Sequence, residues 1–230
     1  MHLYALQRIL AAITIAAACA PAIAQNYPDK PIRLVVPFPP GGGADFMARA
    51  LAQKLAPLLG QPVVLDHRTG AGGTIAAETV AAAAPDGYTL VFATLGTHAI
   101  NPSLYSKIRY DPVKDFAPIA LTHVAPRVLV LHPSVPAQSI AELVALAKAK
   151  PGTLTFGSSG NGGVNHLSGE LFKVLTGADM THVPYKGAAP ASTDLLGGRL
   201  SMVFDSIVVW TDHIKTGRVR ALGVDRQGPR

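Results

Sequence analysis

Three clusters of glycine stand where the sequence leaves one kind of local pattern and enters another: Gly41-Gly42-Gly43, His67-Arg68-Thr69-Gly70-Ala71-Gly72-Gly73-Thr74 and Gly157-Ser158-Ser159-Gly160-Asn161-Gly162-Gly163. Each follows a short run of β-forming residues and precedes a helical pattern. Glycine lets another group approach the backbone, and the first N–H groups of the following helix have no partner inside it. The chemistry on offer is anion binding. In the first cluster Pro37, Phe38, Pro39 and Pro40 stiffen the approach to the glycines. One such loop would be an ordinary tight connection, whereas three in one chain point to an anion held between two lobes.

Other candidate chemistries fare worse. Gly41 and Gly43 follow a strand, and Asp66 ends the next, as in a dinucleotide site. However, Phe46 fills the position that needs a small residue, and Pro39-Pro40 lengthen the turn. Gly70, Gly72 and Ile75 fail the same test, and no phosphate loop ending in Gly-Lys-Ser/Thr is present. Ser159 does not sit in a nucleophile elbow, because Asn161 stands where glycine is required. Ser158 and Ser159 read instead as hydrogen-bond donors. His166 and Glu170 share a helix face, but the other histidines are scattered without ligand spacing, so capping or surface pairing explains them better than a metal. Asp205, at a strand end, is either a helix N-cap or a pocket acceptor for an ammonium or a bridging water. Tyr185 and Lys186 divide between a solvated turn and a ligand contact. No catalytic group, metal or cofactor is expected.

The elements that must position these residues alternate strand and helix. Met47, Leu51, Leu55 and Leu58 repeat on one helical face before Gly60 and Pro62 stop the helix. Pro62 to Asp66 reads as a short buried strand, Ile75 to Ala84 as an alanine-rich helix, and Tyr88 to Ala93 as a third strand. The segment 101–118 is irregular, with three prolines, and either wraps over the surface or marks a passage between lobes. Ile119 to Val124 and Arg127 to His132 read as extended runs, and Ser139 with Glu142 forms a capping box. After the third glycine loop, Leu167, Leu171 and Leu175 repeat on one helix face. Strands follow around residues 181–185, 200–204 and 219–224, with helices between. This order predicts an α/β chain with mostly parallel sheets.

Composition agrees. The 230 residues are 49% hydrophobic and 15% charged, enough for a substantial core. Residues 1–24 carry Arg8, an apolar run and Ala22-Ile23-Ala24, the parts of a secretory signal cleaved after Ala24. Lipid attachment at Cys19, the single cysteine, is the weaker reading, because Ala16-Ala17-Ala18 is a poor lipidation context. The formal charge of +6 is spread out, without basic runs, so nucleic-acid binding finds no support, although a mild positive field would gather small anions.

The successions Tyr27-Pro28-Asp29-Lys30-Pro31-Ile32-Arg33, Val36-Pro37-Phe38-Pro39-Pro40-Gly41-Gly42, Asp86-Gly87-Tyr88-Thr89-Leu90 and Val183-Pro184-Tyr185-Lys186-Gly187 together resemble the Bug, or TctC-like, receptors of tripartite tricarboxylate transport systems. The resemblance implies a type II periplasmic-binding-protein-like fold: a signal peptide over 1–24, a first α/β lobe over 25–125, a second over 126–222 and a truncated return segment over 223–230, leaving the first lobe incomplete. It implies a periplasmic, non-enzymatic, monomeric receptor that closes on a small organic acid and presents it to a membrane permease. The contacts carried over by position are Phe38, Pro39, Gly42, Gly43, Asp45, Gly73 and Thr74 from the first lobe, with Ser158, Ser159, Tyr185 and Asp205 from the second. A nucleotide-dependent enzyme and a receptor that signals to a sensor partner are the alternatives.

Overall fold

The computed structural model describes residues 27–124 and 126–225. The expected signal peptide, its cleavage site, Cys19 and the last five residues lie outside them. Among the described residues no helix is long and apolar enough to cross a membrane.

The first unit is a three-stranded parallel sheet, ordered β2-β1-β3, from β1 (Ile32–Val36), β2 (Val63–His67) and β3 (Thr89–Val91). Helix α1 (Gly43–Leu59) links β1 to β2, and a 3-10 turn (Ala71–Gly73) with α2 (Thr74–Ala81) links β2 to β3. Central β1 is almost wholly buried, because Leu34 and Val36 pack with Ala48 and Phe92 while Arg33 pairs at the sheet surface with Asp66. Two expectations change here. Strand β2 is an edge strand with Val64 exposed, not a buried one. Helix α1 turns its small residues, Ala48 and Ala52, fully to the sheet, with Met47 and Leu51 of the expected face half-buried against the same core, and leaves Leu58 81% exposed. Alanine lets the helix axis come closer than leucine would, and Pro57 breaks the ladder of backbone hydrogen bonds in the last turn.

A π turn (Gly96–Ile100) and the short α3 (Asn101–Leu104) follow β3, and the chain then runs without regular structure over 113–124. Residues 119–124 form no strand: Ile119 and Leu121 are exposed and have no sheet neighbour.

The second unit is a five-stranded sheet, ordered β6-β5-β7-β4-β8. Its elements are β4 (Arg127–Leu131), α4 (Ile140–Ala149), β5 (Leu154–Ser158), α5 (Val164–Thr176), β6 (Met180–Pro184), α6 (Ala188–Leu196), β7 (Met202–Ser206), α7 (Ile207–Lys215) and β8 (Arg220–Val224). Strands β5, β6 and β7 run parallel, whereas β4 is antiparallel to both neighbours, so this sheet is mixed. Both faces are covered, and alternate residues serve opposite cores. Leu129, Leu131, Phe156, Met202 and Phe204 pack under α4 and α5; Val128, Val130 and Val203 pack under α6 and α7 with Leu195 and Trp210. Each large side chain so buried contributes about 1.5–3 kcal/mol.

The capping box exists: Ser139 Oγ accepts the Glu142 N–H at 3.2 Å, and the Glu142 carboxylate reaches back to the Gln138 N–H at 2.8 Å. Helix α5 differs from expectation. Gly169 lies against Phe156, where a Cβ would come within 2.2 Å of the ring, while Leu171 and Leu175 face outward. The close approach that glycine permits decides which face is buried, over the larger leucine stripe.

Candidate functional site

Four helices begin at the carboxyl ends of strands and turn their N-termini to one cleft. Helix α1 follows β1, α5 follows β5, α6 follows β6 and α7 follows β7. The N-caps of α1, α5 and α6 are Gly42, Gly163 and Gly187, none of which has a side chain to satisfy the first helical N–H groups. Between them and the loop after β3 lies a cavity of about 580 Å³. Its walls include Phe38, Gly42, Gly43, Ala44 and Met47 from the first unit, with Ser159, Gly163, Asn165, Ala188, Asp205 and Ser206 from the second. Phe92, Thr94, His123 and Arg127 complete them.

The two units touch around this cavity. A Cβ on Gly41 would lie 3.3 Å from Ala189 Cβ, and one on Gly43 would lie 3.3 Å from Ser206 Cβ. A Cβ on Gly187 would lie 2.4 Å from Pro39 Cγ. At another contact Leu104 fills the space over Gly162, and the Tyr105 hydroxyl donates to the Asn161 carbonyl at 3.3 Å. The glycines therefore serve two ends, since they bare backbone amides and let the opposite unit close on them.

Of the residues anticipated from sequence, Phe38, Gly42, Gly43, Ser159 and Asp205 stand in the cavity wall. Pro39, Asp45, Gly73, Thr74, Ser158 and Tyr185 lie outside it. Asp45 is buried, and its carboxylate accepts the Gly41 N–H at 3.0 Å, Arg49 Nη2 at 3.0 Å and His67 Nε2 at 2.8 Å. Burial pushes its pKa up, but these donors together hold it below the ordinary carboxylate value, so Asp45 is a charged clasp that shapes the loop from beneath. Gly73 is wedged against Pro37 and Thr97, and Thr74 Oγ1 donates to the Ala71 carbonyl at 2.9 Å. The second glycine cluster thus buttresses the first.

Ser158 Oγ is 2.6 Å from His182 Nε2 and donates to the Gly160 carbonyl at 3.1 Å, which fixes the bend of the third loop. The His182 ring is stacked between His166, at 4.0 Å, and Phe156, at 4.9 Å. Burial, reinforced by the His166 charge, brings its pKa down to about 4, so His182 is neutral. The Tyr185 hydroxyl donates to Asp194 at 2.7 Å; burial and that carboxylate push its pKa up to about 12.

Asp205 is 6% exposed and is not the N-cap of α7, a position taken by Ser206. Its oxygens accept the Ser206 N–H at 2.8 Å, Asn165 Nδ2 at 2.8 Å and Trp210 Nε1 at 3.1 Å. Burial raises its pKa against the pull of those donors. The positive field of the helix N-termini and of Arg127 offsets the Asp205 charge. The cleft is suited to a small anion with apolar surface against Phe38, Phe92 and Met47.

Sequence reasoning missed Arg127, Asn165, Phe92 and His123. Asn165 had a signal, two residues after a glycine N-cap, whereas the other three enter the wall only through tertiary folding. Asp66, the residue on which a nucleotide site would turn, is paired with Arg33 and with Arg68, at 3.0 Å from the latter, and is no part of the cavity.

Comparison with known proteins fits this geometry. Residues 47–228 match the tripartite tricarboxylate transporter family receptor model, TctC. Protein BugT of Bordetella pertussis is 41% identical over 222 residues, spanning 94% of this chain and 68% of the relative. The solved structure of Rpa4515 from R. palustris with adipate superposes with a TM-score of 0.83 at 40% identity, over 86% of this chain and 66% of that one. MatC (Rpa3494) from Rhodopseudomonas palustris with bound malate gives 0.81 at 35% identity, over 87% and 68%. The chain therefore spans about two thirds of the length of these relatives, with a periplasmic-binding-protein fold of two α/β lobes. It belongs to the tripartite tricarboxylate transporter receptor family.

Proposed function

We propose that this protein is a periplasmic receptor for a small organic carboxylate, which the two lobes enclose and hand to a membrane permease of the tripartite tricarboxylate type. The observation that carries the reading is the convergence of four helix N-termini, three capped only by glycine, on one cavity between the lobes. Gly42 and Gly43 offer amides from one jaw, Ser159 and Asn165 offer donors from the other, and Phe38 forms the apolar wall. Binding and lobe closure, rather than bond chemistry, are the activity in this reading. The adipate and malate in two structural relatives support a carboxylate of that size.

Thermal-shift screening against di- and tricarboxylates, amino acids and aromatic acids tests the reading. A saturating ligand at a hundred times its Kd stabilises by about 2.7 kcal/mol, a clear rise in Tm. A folded protein that no carboxylate stabilises would refute it.

A further inference from the structure

We propose that Asn161-Gly162, in the third glycine loop, is a self-modifying site, at which His166 promotes loss of the Asn161 amide and leaves an aspartate or isoaspartate that weakens anion binding. The effect on binding rests on the carboxylate reading of the cavity; the modification itself does not.

The reaction needs a backbone nitrogen that attacks the side chain of the preceding asparagine, a base for its proton, and room for a succinimide ring. Glycine hinders that ring least, and Asn161 is the one asparagine among the described residues that precedes a glycine. Asn101 is wholly buried and precedes Pro102, which has no N–H to give up. Asn165 precedes His166 inside α5 and is held by its bond to Asp205. Asn161 is exposed, so its carboxamide can turn onto the Gly162 nitrogen.

That nitrogen is bonded to a base. The Gly162 N–H donates to His166 Nδ1 at 3.1 Å, which aims the Nδ1 lone pair at it and leaves the ring proton on Nε2. Nε2 lies 3.9 Å from Glu170 Oε1, so a carboxylate stands beside the imidazolium as it forms. The ring is fixed from its face by the stack on neutral His182. Nucleophile, base and orienting carboxylate thus stand in a row, the arrangement that activates weak nucleophiles generally. As the Gly162 nitrogen gives its proton to Nδ1, it forms a bond to the side-chain carbonyl carbon of Asn161. The bond from that carbon to Nδ2 breaks, and Nδ2 takes the proton from His166 and leaves as ammonia. Water then opens the succinimide at either carbonyl, so that one water enters and one ammonia departs.

The Asn161 backbone carbonyl accepts the Tyr105 hydroxyl of the first lobe at 3.3 Å, and the same loop carries Ser159 and Gly163 to the cavity wall. Either product adds a negative charge to this loop, and isoaspartate also lengthens the backbone by one carbon and shifts the acceptor of Tyr105. Both changes oppose an anion in the cleft.

The test is incubation of the full chain at neutral pH, folded or unfolded in urea, with mass spectrometry of the peptide that carries Asn161. An amide turned to an acid changes its mass, which distinguishes it from isomerisation at Asp86-Gly87. In the folded wild type Asn161 is expected to convert while Asn101 and Asn165 stay amides. His166→Gln should slow the conversion about tenfold or more in the folded chain and leave the rate in urea unchanged. Loosening of the loop alone would speed it. Calorimetric titration with adipate and malate should show Asn161→Asp binding about five- to tenfold more weakly than Asn161→Gln. Circular dichroism melts confirm that the variants fold. A folded wild type that keeps its Asn161 amide while the urea-unfolded chain loses it, or equal folded rates in wild type and His166→Gln, overturns the site. Equal, measurable affinities of Asn161→Asp and Asn161→Gln overturn its effect on binding. Conversion at Asn161 in a folded chain that no carboxylate binds leaves the site standing and removes the receptor reading.

Discussion

Gly187 and Pro39 belong to opposite lobes, yet a Cβ on Gly187 would lie 2.4 Å from Pro39 Cγ, and Gly187 has a φ of 118°. Both facts demand glycine, one for backbone conformation and one for closure. Gly187→Ala is expected to cost about 1–3 kcal/mol in backbone strain. It should also hold the jaws apart, weakening carboxylate binding by about tenfold or more. Small-angle scattering of the ligand-saturated variant should show a larger radius of gyration than the saturated wild type; equal radii and equal affinities would mean that this contact does not gate closure.

Trp210 is the single tryptophan, fully buried, and its Nε1–H donates to Asp205, which stands in the cavity wall. Its emission therefore reports on the site from one residue away. A bound carboxylate should change Trp210 fluorescence saturably. Asp205→Ala should lower stability by about 1–3 kcal/mol, because it strands the buried Trp210 donor and takes the partner from half-buried Asn165. Chemical denaturation followed at Trp210 measures both.

His182 makes stability depend on pH over a definite window. Its pKa falls from the ordinary 6.5 to about 4 in the folded protein, through burial first and the His166 charge second. The unfolded chain takes up a proton near 6.5, but the native state resists until about 4, so the contribution is intact above 6.5 and is lost as pH falls toward 4. Asp45 and Asp66 are also shifted down, below the ordinary carboxylate value of 3.8, so their stabilisation is present above that value and is lost as pH falls below it. His182→Gln should flatten the fall in Tm between pH 6.5 and 4 and leave the more acidic fall in place.

Much of this fold was legible in the sequence because glycine and proline punctuate it. The first and third loops, the capping box at Ser139 and the alternation of strand and helix follow from local rules. The helix faces did not follow, because leucine periodicity at Leu58 and Leu175 yields to the closer approach that Ala48 and Gly169 permit. The direction of β4 was hidden too, since strand polarity in a mixed sheet is a tertiary property. In the site, backbone donors were readable from loop composition. Arg127 was not, because it reaches the cavity wall only through the pairing of β4 with β7, which no local pattern displays.

Asp66 offers a check on the nucleotide alternative. With Arg33 and Arg68 on its carboxylate, it fastens the β1–β2 edge and leaves no free acceptor for a ribose. Asp66→Ala should cost about 1 kcal/mol or less, as for other half-exposed pairs, and should not alter carboxylate affinity. Saturable NAD binding that disappears in this variant would favour the alternative.

Gly43 returns the question to the first glycine loop. It lies in the cavity wall at the head of α1, and the space over it is closed by Ser206, so a valine there would block both the amide and the jaw. Calorimetric titration of wild type and Gly43→Val with the carboxylate that most stabilises the wild type is the most direct measurement. The two-lobed clamp predicts saturable one-to-one binding by the wild type and none by a variant that remains folded by circular dichroism. Equal affinity in the two proteins would contradict it.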